Sequence, residues 1–472
     1  MSTHKELLKH SRNYLFANIA TKALAFISIP VYTRLMTVEE YGVVNVLLSV
    51  LNIAPILLTL NLEVAISRYY YDTKDIEDFK RFVGCSIRLV VIAFIVTSVI
   101  FVLLLPLISS LLAFSTLLTL TILPISLYRI TNSIFQQIYN PILQSKKIAI
   151  VSSVQTYLAF GLSVIAILCL PSNKYYGFVI GNLVAMMLLG IYMYRQIIPY
   201  FTNGWSREHI LYIAKYCLPY IPYSLSGVII DQLGRIFISN DSGFELAGLY
   251  SMAANIATII AIFIGVVHQA WNPYYFKYLN EKDHKSLDTD YDIIWRITMI
   301  LVVGISVFGR ELGYILGGSK YLHSLYILPV LCVGYAFYQW AYVYMRNTGY
   351  AKQTIWNGVV VTLSGILNIY LVAILTGPYK ELGVAIAFAA SYALLMILSW
   401  LVNRLFLNVY TPPFSNFLIV GVFSLPFAVY GMWTYFKEQS FVSFTIKIVV
   451  FCVFVGVVSK KYLHMIPQLI KR

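Results

Sequence analysis

Residues Ile87 to Leu105 read IRLVVIAFIVTSVIFVLLL. After Arg88 the stretch holds no charge, and its residues are apolar on both faces of any regular element. Its 19 residues would span about 28 Å as a helix, against a bilayer core of about 30 Å. Inside lipid every backbone N–H and C=O must find its partner within the protein, so such a block must be helical. A membrane β-barrel would instead alternate with period two over strands of about ten residues. Similar blocks recur along the chain, and fourteen are expected, from 14–36 to 442–460. Composition agrees: 59% of residues are hydrophobic and 11% charged, against roughly 25% charged in a soluble domain. The expected fold class is therefore an all-α integral membrane protein.

An even number of spans puts both termini on one side. Of the 34 Lys and Arg residues, 24 fall on the face that carries the termini and 8 on the other, with Lys22 and Arg88 inside spans. The positive-inside rule makes the first face cytoplasmic. The net charge of +14 then marks a surface lying against anionic lipid headgroups. No soluble stretch is long enough for a nucleic-acid patch, so no nucleic-acid partner is expected. Many of the 38 tyrosines lie near span ends, as interfacial residues do, and a minority facing a cavity could stack on sugar rings. The first block, Tyr14 to Met36, is too long for the apolar core of a signal peptide and reads as a retained helix. The five cysteines stand singly in apolar blocks and suggest neither disulfide nor metal site. No GxxxxGK[ST], HExxH or GxSxG motif is present, so no cofactor and no ATP motor are expected.

Two stretches look alike. FISIPVYTRLMTVEEYGVVNVLLSVLNI runs from Phe26 to Ile53, and IIDQLGRIFISNDSGFELAGLYSMAANIATII begins at Ile229. Each carries an arginine near a helix end (Arg34, Arg235), then a polar turn with an acidic residue, then a glycine (Gly42, Gly248). They fall at helices one and seven, as a six-helix repeat requires. Transporters built from two related halves hold substrate between them. The expected organisation is an N-terminal lobe over 1–200, a C-terminal lobe over 201–405, and two further helices with a tail over 406–472.

Charge within hydrocarbon is costly, so intramembrane charges are functional candidates by default. Lys22 lies about two turns into helix one, Arg34 at its outer end and Arg310 in the outer part of helix nine. Asp231 and Arg235 stand four apart on one face of helix seven and can pair. Glu63 lies near the inner end of helix two. Lys22, Arg34, Arg235 and Arg310 are the candidates for a cationic cavity that holds phosphate, which arginine's planar fork suits. Glu63 and Asp231 are the candidates for ion coupling. The structural alternatives are interfacial anchoring for Arg34 and Arg235, and an ion pair within one lobe for Asp231 with Arg235.

The stretch Ile29 to Asp72 (IPVYTRLMTVEEYGVVNVLLSVLNIAPILLTLNLEVAISRYYYD), with Leu218 to Ala253 and His268 to Leu279 (HQAWNPYYFKYL), resembles polysaccharide flippases of the Wzx type. These belong to the multidrug/oligosaccharidyl-lipid/polysaccharide exporter superfamily. The resemblance implies two six-helix lobes around a central cavity, with two helices appended. It implies a bacterial cytoplasmic membrane protein, not an enzyme, that moves an undecaprenyl-pyrophosphate-linked glycan to the outer leaflet by alternating access. A glycan polymerase and glycosyltransferases are the partner proteins it implies, for an O-antigen or capsule. Relatives usually carry an adjacent Asp-Arg where this chain separates Asp231 from Arg235 by three residues. The rival readings are an ion-coupled drug exporter of the same fold and a membrane polysaccharide polymerase or ligase.

Overall fold

A computed structural model of the chain describes residues 24, 26–73, 75–202, 204–435 and 440–461. Within them all regular secondary structure is helical, with no strand. A first segment, 26–35 (α1), leads into α2 (Val38–Thr59), and after α3 (Ala65–Asp72) come α4 (Ile76–Leu103), α5 (Leu105–Leu112), α6 (Thr116–Leu120) and α7 (Ile122–Tyr139). Then follow α8 (Ser145–Cys169), α9 (Tyr175–Ile197), α10 (Arg207–Glu281), α11 (His284–Gly317) and α12 (Leu328–Tyr350), and finally α13 (Ile355–Val402), α14 (Phe414–Thr434) and α15 (Phe441–Ser459).

Ten described helices are long and apolar enough to cross a membrane. Two of them are far too long for one crossing. The 75 residues of α10 would reach about 112 Å unbroken. The helix is broken at Gly243, whose φ of 88° and ψ of 170° lie in a region glycine alone enters without strain. In the same way α13 breaks at Lys380 (φ 47°, ψ −128°), two residues after Pro378. Each therefore supplies two crossings. With the apolar run Leu418–Thr434 of α14 and the end of the first block in α1, about fourteen crossings result, arranged as two six-helix lobes with two helices appended. The sequence puts its seventh and eighth spans at 210–238 and 246–268, with a polar loop over 239–245 between them; the chain instead makes the whole turn at Gly243. The sequence also predicts one span over 107–128; there Ala113, at φ 55°, ends α5 and separates it from α6 and α7.

What surrounds these helices can be read from α4. Val91, Ile95 and Val99 are each about half exposed, and only 11% of the helix's most apolar window is buried. So large an apolar face has no place in water and belongs against lipid. Arg88 sits inside this span and avoids lipid by donating to the carbonyls of Gly204 (2.7 Å) and Thr202 (2.9 Å), with Phe201 and Trp205 beside its guanidinium.

The chain forms two compact units. The first comprises Met1–Val228 and Ser242–Gly248, the second Ile229–Asp241 and Leu249–Arg472. In the first unit Thr37 and Glu40 form a capping box that starts α2, satisfying two otherwise orphaned N–H groups. The segment Ser242–Gly248 belongs to this unit because its backbone lies directly on the start of α2. A Cβ on Gly42 would stand 1.9 Å from the Phe244 carbonyl oxygen, and one on Gly248 would stand 2.3 Å from that of Val38. The two glycines that align in the sequence thus pack against each other. In the second unit α11 and α15 are joined by an ion pair, Lys447 Nζ to Glu311 Oε1 at 2.8 Å, with Lys447 almost fully buried.

Candidate functional site

The second unit holds a cavity of about 110 Å³ at the centre of its α10, α12 and α13 helices. Asp231, Gln232 and Arg235 reach it from α10 before the Gly243 break, and Tyr250 and Thr258 from α10 after it. Tyr335 and Phe388 close it from α12 and α13. The break is what allows this: it folds one sequence segment back so that residues about 20 apart line one space. Helical spacing does the rest, since Asp231 and Arg235, or Tyr250, Ala254 and Thr258, recur every four residues along one face.

Arg235 is 7% exposed. Its Nη1 donates to Gln232 Oε1 (2.9 Å) and to the Asp231 backbone carbonyl (3.3 Å), and its Nη2 donates to Asn255 Oδ1 (3.2 Å). Its Nε has no acceptor. All three bonds go to neutral oxygens, so the guanidinium keeps its charge uncompensated by contact. The Asp231 carboxylate is engaged elsewhere: its Oδ1 accepts from the Tyr392 hydroxyl at 2.8 Å. The sequence allowed an Asp231–Arg235 ion pair. In the structure the two line one cavity but their charged ends are held apart by different partners. That cavity therefore presents a guanidinium and a carboxyl group, each held by its own partners.

The other sequence candidates fall elsewhere. Arg34 is exposed at the end of α1, in the first unit. Arg310 lies on α11 and its Nη1 donates to the Tyr435 carbonyl at 3.3 Å, beside the appended helix α14; it does not line the Arg235 cavity. Lys22 lies outside the described residues. Glu63 is 4% exposed. It sits in a 3-10 turn, Leu62–Val64, that follows two successive left-handed residues, Leu60 and Asn61. Its carboxylate accepts from Thr59 Oγ1 (3.2 Å) and Ser133 Oγ (3.1 Å). Two hydroxyls can orient it without neutralising it.

Several partners in the site were not picked out from the sequence. Gln232, three residues before Arg235, was within reach of helical reasoning. Tyr392 and Asn255 were not, because only the folded chain brings them near. Among the described residues no group of His, Cys, Asp and Glu is placed to hold a metal ion.

Comparison with known proteins bears on this arrangement. The family described as polysaccharide biosynthesis protein matches residues 7–279, more than half of the 472-residue chain. That match contains Ile29–Asp72, Leu218–Ala253 and His268–Leu279. Protein 1 of the Lsg locus of Haemophilus influenzae is 26% identical over 364 residues, which cover 71% of this chain and 85% of that protein. Among solved structures, the lipid II flippase MurJ in its inward closed conformation superposes with a TM-score of 0.72 at 16% identity, covering 96% of this chain and 99% of MurJ. A multidrug resistance MATE transporter of the MOP superfamily, inward-facing, gives 0.57 at 16% identity, covering 82% and 98%. At such identity the two structures establish the fold and no more. On the family match, this multi-pass membrane chain, built on the fold common to MurJ and the MATE transporters, belongs to the polysaccharide biosynthesis protein family.

Proposed function

We propose that the chain is a flippase that moves an undecaprenyl-pyrophosphate-linked oligosaccharide from the cytoplasmic to the outer leaflet of a bacterial cytoplasmic membrane. Both termini lie in the cytoplasm, as the distribution of Lys and Arg favours. The observation that carries this reading is Arg235: a buried guanidinium, bonded only to neutral oxygens, in a cavity of a polysaccharide biosynthesis family member. Such a group attracts an oxyanion, and the pyrophosphate is the anionic part of the substrate. By the sequence reading Lys22, Arg34 and Arg310 are further candidates to meet the pyrophosphate, and the lipid tail remains among the helices in the membrane. Access alternates between the two faces as the halves rearrange. The drive is the membrane potential, an ion gradient or removal of product outside. A dianion leaving an inside-negative cell gains roughly 4.6 kcal/mol per 100 mV.

Complementation of a deletion strain tests this. The deletion should accumulate lipid-linked oligosaccharide in the inner leaflet. Arg235→Ala should fail to clear it, with flipping reduced about 10- to 100-fold for the loss of one or two charge-assisted bonds. Arg235→Lys, which keeps charge and loses the fork, should restore part. Full complementation by Arg34→Ala, Arg235→Ala and Arg310→Ala combined would place the phosphate elsewhere. One observation favours a second reading, an ion-coupled exporter: the Asp231 carboxylate in the same cavity can bind and release a cation.

A further inference from the structure

Arg346, four residues before the end of α12, is 7% exposed and forms no ion pair with any carboxylate among the described residues. Its Nη2 donates to His268 Nδ1. A guanidinium has no lone pair to accept with, so His268 carries its proton on Nε2 and donates it to Gln339 Oε1 at 2.9 Å. The relay stops there. Arg346 Nε, Arg346 Nη1 and Gln339 Nε2 are buried donors with no acceptor. Three aromatic rings surround the guanidinium carbon, Trp271 at 4.9 Å, Tyr275 at 4.6 Å and Tyr342 at 5.5 Å. Their polar ends are committed elsewhere where bonds are defined: Trp271 Nε1 donates to Asp290 (3.1 Å) and the Tyr275 hydroxyl to Asn347.

Ring faces attract a cation but accept hydrogen bonds poorly. The niche is therefore cationic, rich in donors and short of acceptors. Buried donors of this kind are rare and call for a partner. We propose that Arg346, backed by His268 and Gln339 and walled by Trp271, Tyr275 and Tyr342, binds the phosphate oxyanion of a lipid headgroup or of a soluble phosphate. The chemistry is that of a guanidinium opposite phosphate oxygens. Phosphate is the oxyanion at hand: α12 ends four residues later, at Tyr350, where exposed Lys352 and interfacial tyrosines mark headgroup depth. Trp271 and Tyr275 are buried, whereas Tyr342 is only half-buried, so a turn of the Tyr342 ring opens the niche. This anion site goes beyond the flippase reading, which rests on the Arg235 cavity.

The test uses the full chain in phosphatidylcholine nanodiscs, with the thermal unfolding midpoint as readout. In one arm inorganic pyrophosphate is titrated in. In the other, phosphatidylglycerol replaces part of the phosphatidylcholine. A ligand bound only to the native state should raise the midpoint by about 3 °C or more at saturation. A rise with pyrophosphate alone assigns a soluble phosphate, and a rise with phosphatidylglycerol alone assigns a headgroup; either supports the site. Arg346→Gln should abolish the rise and Arg346→Lys should reduce it. All of these measurements are made on an Arg235→Gln background, which removes any pyrophosphate response of the Arg235 cavity, so the rise reports Arg346 alone and either proposal can fail by itself. Should Arg346→Gln not fold, Gln339→Glu, which supplies a carboxylate next to the relay, should weaken the response. No rise in either arm, or a rise that survives in Arg346→Gln, overturns the proposal.

Discussion

Gly42→Ala is the most direct probe of how α2 meets the Ser242–Gly248 segment. The added Cβ would stand 1.9 Å from the Phe244 carbonyl oxygen, 2.8 Å from its carbonyl carbon and 3.0 Å from the Gly248 nitrogen. All three neighbours are backbone, so no rotamer change relieves the overlap. To reach an ordinary contact of 3.4 Å the two backbones must part by about 1.5 Å. Overpacking of this kind costs about 1–3 kcal/mol, and a rigid neighbour puts it near the upper end. In a unit of this size that lowers the unfolding midpoint by about 4–10 °C. Gly248→Ala, 2.3 Å from the Val38 carbonyl oxygen, should cost a similar amount. The double variant should cost less than the sum, because one displacement relieves both contacts. Gly161→Ala on α8 is the control: its Cβ would meet nothing within 4 Å, and alanine is the better helix former. The assay is thermal unfolding of purified protein in matched nanodiscs. If Gly42→Ala melts with Gly161→Ala, the close approach is not present in the folded protein and the reasoning fails.

Two other substitutions test single contacts. Lys447→Met should cost about 3–5 kcal/mol by leaving Glu311 without its 2.8 Å partner, and adding Glu311→Gln should recover most of that; additive losses in a double-mutant cycle would remove the pair from the account. Asp231→Asn keeps an oxygen to accept the Tyr392 hydroxyl, so the fold should hold to within about 1 kcal/mol. If Asp231 couples a cation to transport, the same variant should lose its response to an imposed ion gradient in proteoliposomes, and an unchanged response would exclude that role.

Lipid made the fold legible. A stretch such as Ile87 to Leu105 has one solution in a bilayer, and fourteen such stretches leave little choice of class. The connections were less legible, because nothing in 239–245 says that a seven-residue polar run will turn at one glycine. The site was legible in part for a related reason. Asp231 and Arg235 stand out because charge is rare in an apolar helix, and their four-residue spacing puts them on one face. Their engagement was not legible, because it depends on Tyr392, 161 residues away, and on Asn255 across the Gly243 break. Glu63 stood out for the same reason as Asp231, but its two hydroxyl partners include Ser133, 70 residues on.

The buried basic residues make a sharper point about reading charge from sequence. Counting Lys and Arg by face treats each as a group seeking water or headgroups. Arg235 and Arg346 are each 7% exposed and Lys447 is 1% exposed, so none of the three reports on the nearest aqueous face. Arg346 was among the 24 on the cytoplasmic side, and Arg235 and Lys447 were among the 8 opposite. Setting them aside leaves 23 against 6. The asymmetry on which the proposed orientation rests therefore steepens once buried charges are removed. That is the behaviour expected if the remaining residues sit at the membrane surface, where the rule applies, and the buried ones are kept for binding or for ion pairs within the protein.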